Sequence, residues 1–164
     1  MRSRFPHYTL PMTQPELPTL SVTPEDIATL APRELAAKLQ QRPDTLGTRM
    51  GIVFTEASRE RVVATLPVAG NLQPAGRLHG GASAALLEEV ASVGSWLNLE
   101  TEREFAVGVD LNITHVRGAT GGLVTAVAER VYRGRSVLVW NVTITNEHGK
   151  VTSTGRCTCN VVRV

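Results

Sequence analysis

The feature that most limits what this chain can become is a twenty-residue segment, GGASAALLEEVASVGSWLNL from Gly80 to Leu99, followed by four long β-type runs. Leu86, Val90, Val93 and Leu97 recur in it at helical spacing, and only Glu88 and Glu89 carry charge. A helix this apolar needs cover along most of its length. The cover is supplied by FAVGVDLNIT, LVTAVAERVY, SVLVWNVTIT and VTSTGRCTCNVV, punctuated by Gly118 to Gly122, Gly134 and Glu147-His148-Gly149. Upstream, GIVFTEA and RVVATLPV are separated by Ser58-Arg59-Glu60 and read as a hairpin. The order predicts an α+β domain: a hairpin, one long central helix, then a four-strand antiparallel meander, the helix wrapped by a five- or six-stranded antiparallel sheet.

The rest of the chain divides at about residue 43. Residues 1–22 are rich in Pro and Thr without periodicity and read as a loose arm. Thr23-Pro24-Glu25 and Pro32-Arg33-Glu34 have the form of helix starts, so residues 1–43 make an arm and a short helical lead-in, and residues 44–164 form the domain. At 164 residues, 42% hydrophobic and 20% charged, one globular domain fits and general disorder is excluded. Lys and Arg outnumber Asp and Glu by 17 to 15, but Arg2 and Arg4 account for the difference, so the domain itself is balanced. With seven aromatic residues and no basic-aromatic cluster, a nucleic-acid-binding surface is disfavoured. No apolar run is long enough to span a membrane, and the opening residues lack the apolar region of a secretory signal, Met12 being an alternative start. A cytoplasmic protein is expected. Cys157 and Cys159 form a C-x-C whose strand alternation points both to one face, where they read as reduced packing residues; the scattered histidines add no zinc ligand set.

Two acids in a central helix need a reason. Opposite the apolar stripe lie Gly81, Ala84, Glu88, Ser92 and Ser95, a small and polar face. Periodicity alone is satisfied by a solvent-facing surface with Glu88 an ordinary acid. The absence of Lys and Arg there favours a face that another backbone or a ligand approaches. Glu89 flanks the apolar stripe beside Trp96 and reads as a core-margin acid or ion-pair partner. At the head of the helix, His79-Gly80-Gly81 leaves backbone N–H groups unshielded at the positive end of the dipole, which suits a carbonyl oxygen or oxyanion, although a tight turn gives the same pattern.

The run from Gln73 to Ser92, QPAGRLHGGASAALLEEVAS, resembles the central motif of hotdog-fold acyl-CoA thioesterases. It is most similar to the branch holding the Arthrobacter-type 4-hydroxybenzoyl-CoA, dihydroxynaphthoyl-CoA and phenylacetate-pathway enzymes. The likeness extends through LGTRMGIVFTE, GVDLNITHVR and RGRSVLVW, covering roughly residues 44–164. It implies that Glu88, nine residues after His79, is the catalytic carboxylate, a choice over Glu89 that periodicity does not make. It implies further that Gln73 and His79 orient the thioester, that the Gly80 N–H binds its carbonyl oxygen, and that Ser92 assists the carboxylate or water. The phenylacetate-pathway enzymes usually carry Asp at that position, so Glu88 puts the chain nearer the aroyl-CoA and dihydroxynaphthoyl-CoA enzymes. His115 matches a histidine of the relatives and joins the substrate and CoA contacts; Val116 departs from a second histidine that several relatives carry there.

The chemistry suits those residue types. Thioester hydrolysis needs a carboxylate that attacks the carbonyl or deprotonates water, and donors aimed at the developing oxyanion; it needs no metal or cofactor. No G-x-S-x-G elbow is present, which disfavours a serine hydrolase. Residues 110–164 hold seven basic side chains against three acids, so CoA phosphates are expected near Arg135 and Ser136, with Arg117 or Arg156. A hotdog enoyl-thioester hydratase or dehydratase, and a non-catalytic acyl-CoA-binding module, remain open alternatives. Eight residues at a rise of 1.5 Å put Gly80 and Glu88 about 12 Å apart along one helix. One thioester cannot touch both, so the expected site joins two chains of a homodimer, which in this family commonly pairs into a homotetramer.

Overall fold

A computed structural model describes residues 22–39, 45–100 and 103–163. The arm expected over residues 1–22, Met12 included, lies outside the described residues except for Val22. The lead-in forms α1 (Pro24–Thr29) and α2 (Pro32–Leu39). Thr23 and Asp26 cap α1 reciprocally: the Thr23 hydroxyl accepts from the Asp26 N–H at 3.1 Å, and the Asp26 carboxylate accepts from the Thr23 N–H at 2.8 Å. Lys38 of α2 pairs with Asp26 at 2.6 Å, and hydrogen bonding from that ammonium, then from Thr23, holds the Asp26 carboxyl down at about 2. Leu35, Ala36 and Leu39 are buried on the face of α2 that packs on β1 (Val53–Ala57).

A helix absent from the sequence prediction precedes the hairpin. It is α3 (Leu46–Met50), whose Thr45 hydroxyl accepts from the Thr48 N–H and whose C-cap Gly51 takes φ of 79°, a left-handed conformation that favours glycine. The hairpin then follows as expected, β1 pairing with β2 (Arg61–Pro67). Next come α4 (Gly80–Trp96), β3 (Glu104–His115), β4 (Leu123–Arg133), β5 (Val137–Asn146) and β6 (Val151–Arg163).

The six strands form one sheet in the order β1-β2-β4-β5-β6-β3, every neighbouring pair antiparallel. This corrects the expected four-strand meander: only β4, β5 and β6 run consecutively, while β3 lies beyond β6 and β2 joins β4. Residues 116–122 connect β3 to β4 across three strand spacings, about 14 Å, well within reach of a seven-residue link. Local alternation identifies a strand and is silent about its neighbours. As an edge strand, β3 exposes Val107, Val109 and Leu111, and it bulges between Gly108 and Asp110.

The sheet wraps α4, which packs against β2, β3, β4, β5 and β6. Leu86, Leu87, Val90 and Leu97 are buried against Val62, Leu66, Trp140 and Ile144, and Val93 is partly buried at the margin. One residue of the expected polar face belongs instead to the core. Ser95 is fully buried, and its hydroxyl accepts a 2.9 Å hydrogen bond from the Trp140 indole N–H. The indole runs under Gly94, where a Cβ would fall 2.6 Å from Trp140 Cζ2, so the neighbouring serine meets the ring nitrogen. Cys157 and Cys159 do share one face; both are free and buried, their sulfurs 3.9 Å apart. The Cys159 thiol beside it, and then burial, push Cys157 above the ordinary thiol range, so that sulfur stays neutral. Among the described residues no helix is long and apolar enough to cross a membrane.

Candidate active site

The site begins in the loop ahead of α4. Leu72 and Leu78 bridge as an isolated antiparallel pair, so residues 73–77 fold back and bring Gln73 and His79 onto nearby rungs. The Gln73 N–H donates to the Arg77 carbonyl at 2.7 Å, and the His79 N–H to the Asn71 carbonyl at 2.9 Å. Asn71 anchors the loop, its amide donating to the carbonyls of Met50 and Pro67 at 2.9 Å each. His79 is the N-cap of α4. Its Nδ1 accepts from the Gly81 N–H at 2.9 Å, which leaves the proton of the neutral ring on Nε2.

Gly80 opens the helix, and its missing side chain is filled by a neighbour: a Cβ there would lie 2.9 Å from His115 Nε2. His115, at the end of β3, is held from the other side by a 2.9 Å contact between its Nδ1 and the Ser153 hydroxyl on β6. Gln73, His79, Gly80 and His115 therefore gather at the N-terminal end of α4. Sequence reasoning misses two residues here. Arg77 extends over Gly118, a Cβ at which would fall 2.6 Å from Arg77 Cδ. Ser153 carries no local signal, because its meeting with His115 depends on the β3–β6 register.

Two helical turns on, Glu88 is exposed, and its carboxylate lies against β3: a Cβ at Gly108 would be 2.9 Å from Glu88 Oε1. Glu89 points the other way, its Oε1 2.9 Å from where a Cβ of Gly47 in α3 would be, as suits an acid at the core margin. Ser92 follows Glu88 by one turn and lies within reach of the Cys159 thiol. Glu88 and Ser92 thus form a second group, over the β3 edge and away from the Gly80 corner.

The basic residues separate as well. Arg135 and Ser136 stand in the β4–β5 turn, Arg135 lining a cleft of about 250 Å³ with Asn98, Glu100, Glu104, Arg133 and Arg163. Arg133 is tied to Glu100, and Arg163 to Glu104 at 2.8 Å, whereas Arg135 has no acidic partner among the described residues. Arg117 follows β3, its backbone N–H bonded to the Thr152 carbonyl at 3.1 Å. Arg156 alternates with the buried Cys157 on β6 and is paired in register with Asn112 and Asn141, on the sheet face away from α4. One chain therefore does not bring Arg135, Arg117 and Arg156 together.

Comparison with known proteins identifies what this arrangement belongs to. The thioesterase superfamily pattern matches residues 75–153. A Deinococcus radiodurans protein carrying an esterase name is 59% identical over 145 residues, which cover 85% of this chain and 91% of that one. The 1,4-dihydroxy-2-naphthoyl-CoA hydrolase of Listeria monocytogenes is 37% identical over 113 residues, 68% of this chain and 91% of its own. A Staphylococcus aureus thioesterase solved as a glutamate-to-alanine variant superposes with a TM-score of 0.71 at 33% identity, over 73% of this chain and 100% of that one. Its glutamine-to-alanine variant gives a TM-score of 0.69 at 33% identity, over 71% and 97%. With a hotdog sheet wrapped around α4 and relatives this similar over most of its length, the chain belongs to the thioesterase superfamily and is a thioester hydrolase.

Proposed function

We propose that the chain hydrolyses acyl-CoA thioesters, aromatic ones preferentially, to the free acid and CoA in the cytoplasm, with Glu88 as the catalytic carboxylate and residues 44–164 carrying the activity. The observation that carries this reading is the setting of Glu88: an exposed carboxylate on a helix otherwise short of charge, laid against a glycine of the edge strand. The two positions altered in the Staphylococcus aureus thioesterase are fifteen residues apart, the separation of Gln73 and Glu88 here. The Listeria monocytogenes relative acts on a bicyclic aromatic acyl-CoA, which supports an aromatic substrate.

In this mechanism the thioester carbonyl oxygen accepts from the Gly80 N–H, which sits at the positive end of α4, while Gln73 and His79 Nε2–H fix the acyl-sulfur group. Glu88 either attacks the carbonyl carbon, expelling CoA thiolate and leaving an anhydride that water cleaves, or takes a proton from the water that attacks. Ser92 steadies the carboxylate or that water. Arg135, without an acidic partner among the described residues, meets a CoA phosphate, with Ser136 beside it. Because Gly80 and Glu88 are about 12 Å apart along α4, each site takes Glu88 and Ser92 from one chain and Gln73, His79 and Gly80 from another. The apolar exposed edge of β3, beside Glu88, supports a second copy there, and pairing of dimers gives a tetramer.

The test is thiol release from a panel of aroyl-, arylacetyl- and fatty acyl-CoA esters. Aroyl-CoA should give the highest kcat/KM, and Glu88→Gln should lower kcat by orders of magnitude while Glu89→Gln does much less. Near-native turnover by Glu88→Gln, or addition of water to an enoyl-CoA without thiol release, would overturn the proposal.

A further inference from the structure

His115 and Ser153 face each other directly across β3 and β6, both toward α4. Ser153 is 2% exposed, and among the described residues His115 Nδ1 is the one partner of its hydroxyl. Burial of that hydroxyl favours one direction of the hydrogen bond. If Nδ1 carried a proton and donated it, the hydroxyl hydrogen of Ser153 would be left without an acceptor in a dry setting. The favourable arrangement has the Ser153 O–H donating to Nδ1, which puts the proton of the neutral imidazole on Nε2.

Nε2 is also the atom that meets Gly80. It lies 2.9 Å from where a Cβ of that glycine would be, so a larger residue at position 80 would displace the ring. The Gly80 backbone N–H opens α4, and the imidazole N–H borders the same residue from β3. His79 accepts from the Gly81 N–H through its Nδ1, so its own Nε2–H is the donor left for the acyl-sulfur group. Two N–H donors from independent elements therefore border one spot, one supplied by a helix and the other by a side chain whose tautomer a buried serine selects.

We propose that His115 Nε2–H is a second donor to the thioester carbonyl oxygen, beside the Gly80 N–H, and that Ser153 is the positioning residue that holds His115 in that tautomer. The inference rests on the assignment of the Gly80 N–H to the carbonyl oxygen above, and adds a group to it. His115 donates a hydrogen bond throughout and gives up no proton: the bond tightens as the carbonyl oxygen becomes an oxyanion and relaxes when the carbonyl re-forms. A histidine serving the pantetheine or phosphate part of CoA would act on binding alone.

The experiment joins a spectroscopic and a kinetic readout on the full-length protein. With 15N-labelled histidine, at about pH 8, where a free imidazole is neutral, His115 should show a pyridine-like Nδ1 and a pyrrole-like Nε2. Ser153→Ala should lose that fixed pattern. His115→Ala should lower kcat on an aroyl-CoA about 100-fold, as removal of one oxyanion donor does, and Ser153→Ala about tenfold, both with KM changed less than about threefold. A pyrrole-like Nδ1 in the unmodified protein overturns the proposal. So does a His115→Ala variant whose KM rises while kcat holds. Should Ser153→Ala fail to fold, the spectrum of the unmodified protein and the His115→Ala kinetics still decide. Turnover retained by Glu88→Gln would sink the parent reading while leaving the His115 results to stand or fall by themselves; a dead Glu88→Gln beside a fully active His115→Ala would sink only the second donor.

Discussion

Gly108→Ala separates the position of the Glu88 carboxylate from the stability of the fold. The added Cβ would sit 2.9 Å from Glu88 Oε1, with the next nearest atom, Glu88 Cδ, at 3.8 Å. Ordinary van der Waals contact begins near 3.4 Å, so the carboxylate must retreat by about 0.5 Å. It can do so cheaply, being the far end of a flexible and exposed side chain. Gly108 is not one of the glycines held at positive φ, so alanine adopts the strand backbone without strain. The substitution should then stabilise the fold by about 0.4–1 kcal/mol through loss of unfolded-chain freedom, raising Tm by about 1–4 °C. Catalysis should move the other way. A misplacement of about 1 Å can cost about 100-fold, so half of that should cost about tenfold in kcat, or about 1.4 kcal/mol of transition-state stabilisation. Continuous detection of released CoA thiol gives kcat, and a thermal melt of the same sample gives Tm. An unchanged kcat would refute the assignment of Glu88, and a kcat loss accompanied by a lower Tm would refute the argument from local displacement.

Ser95→Ala removes the acceptor of the buried Trp140 indole N–H and should cost about 1–3 kcal/mol in urea unfolding; no loss would mean that the hydrogen bond contributes nothing net. Arg135→Ala should raise KM for CoA esters several-fold with kcat little changed, and an unmoved KM would remove Arg135 from the phosphate contacts. Because Asp26 is held at about 2 against an ordinary 3.8, its pairing with Lys38 contributes stability above pH 3.8 that is lost as pH falls through 2. The stability deficit of Asp26→Asn should accordingly be present at neutral pH and vanish near pH 2, and a deficit independent of pH would show that the carboxylate charge is not its source.

What could be read in the sequence follows from what is local. The hairpin, α4 and the four later strands are legible because each carries its own period within ten to twenty residues, and so is the shared face of Cys157 and Cys159. The placement of β3 beyond β6 is not legible, since eleven paired residues from Glu104 to His115 announce a strand without naming its partner. Ser95 misleads because a small polar residue on a helix reads as surface until the indole that needs its oxygen is known to run beneath Gly94. Short α3 had a signal, Thr45 before it and Gly51 after it, hidden by the β-rich residues that follow. Motif resemblance, not periodicity, selects Glu88 over Glu89; in the structure the first carboxylate lies over the edge strand at Gly108 and the second against Gly47. Nothing local couples His115 to Ser153, which are thirty-eight positions apart and meet only through register.

Subunit exchange between two inactive variants decides whether the site is assembled from two chains around Glu88. One carries Glu88→Ala; the other carries Gln73→Ala with His79→Ala. Exchange is verified with differently tagged chains, and thiol release from an aroyl-CoA is measured before and after mixing. In a mixed dimer one of the two sites regains an intact Gln73, His79 and Gly80 from one chain and an intact Glu88 and Ser92 from the other, so activity should return to about a quarter of the unmodified value after complete statistical exchange. Two variants that remain inactive after verified exchange would contradict the shared site.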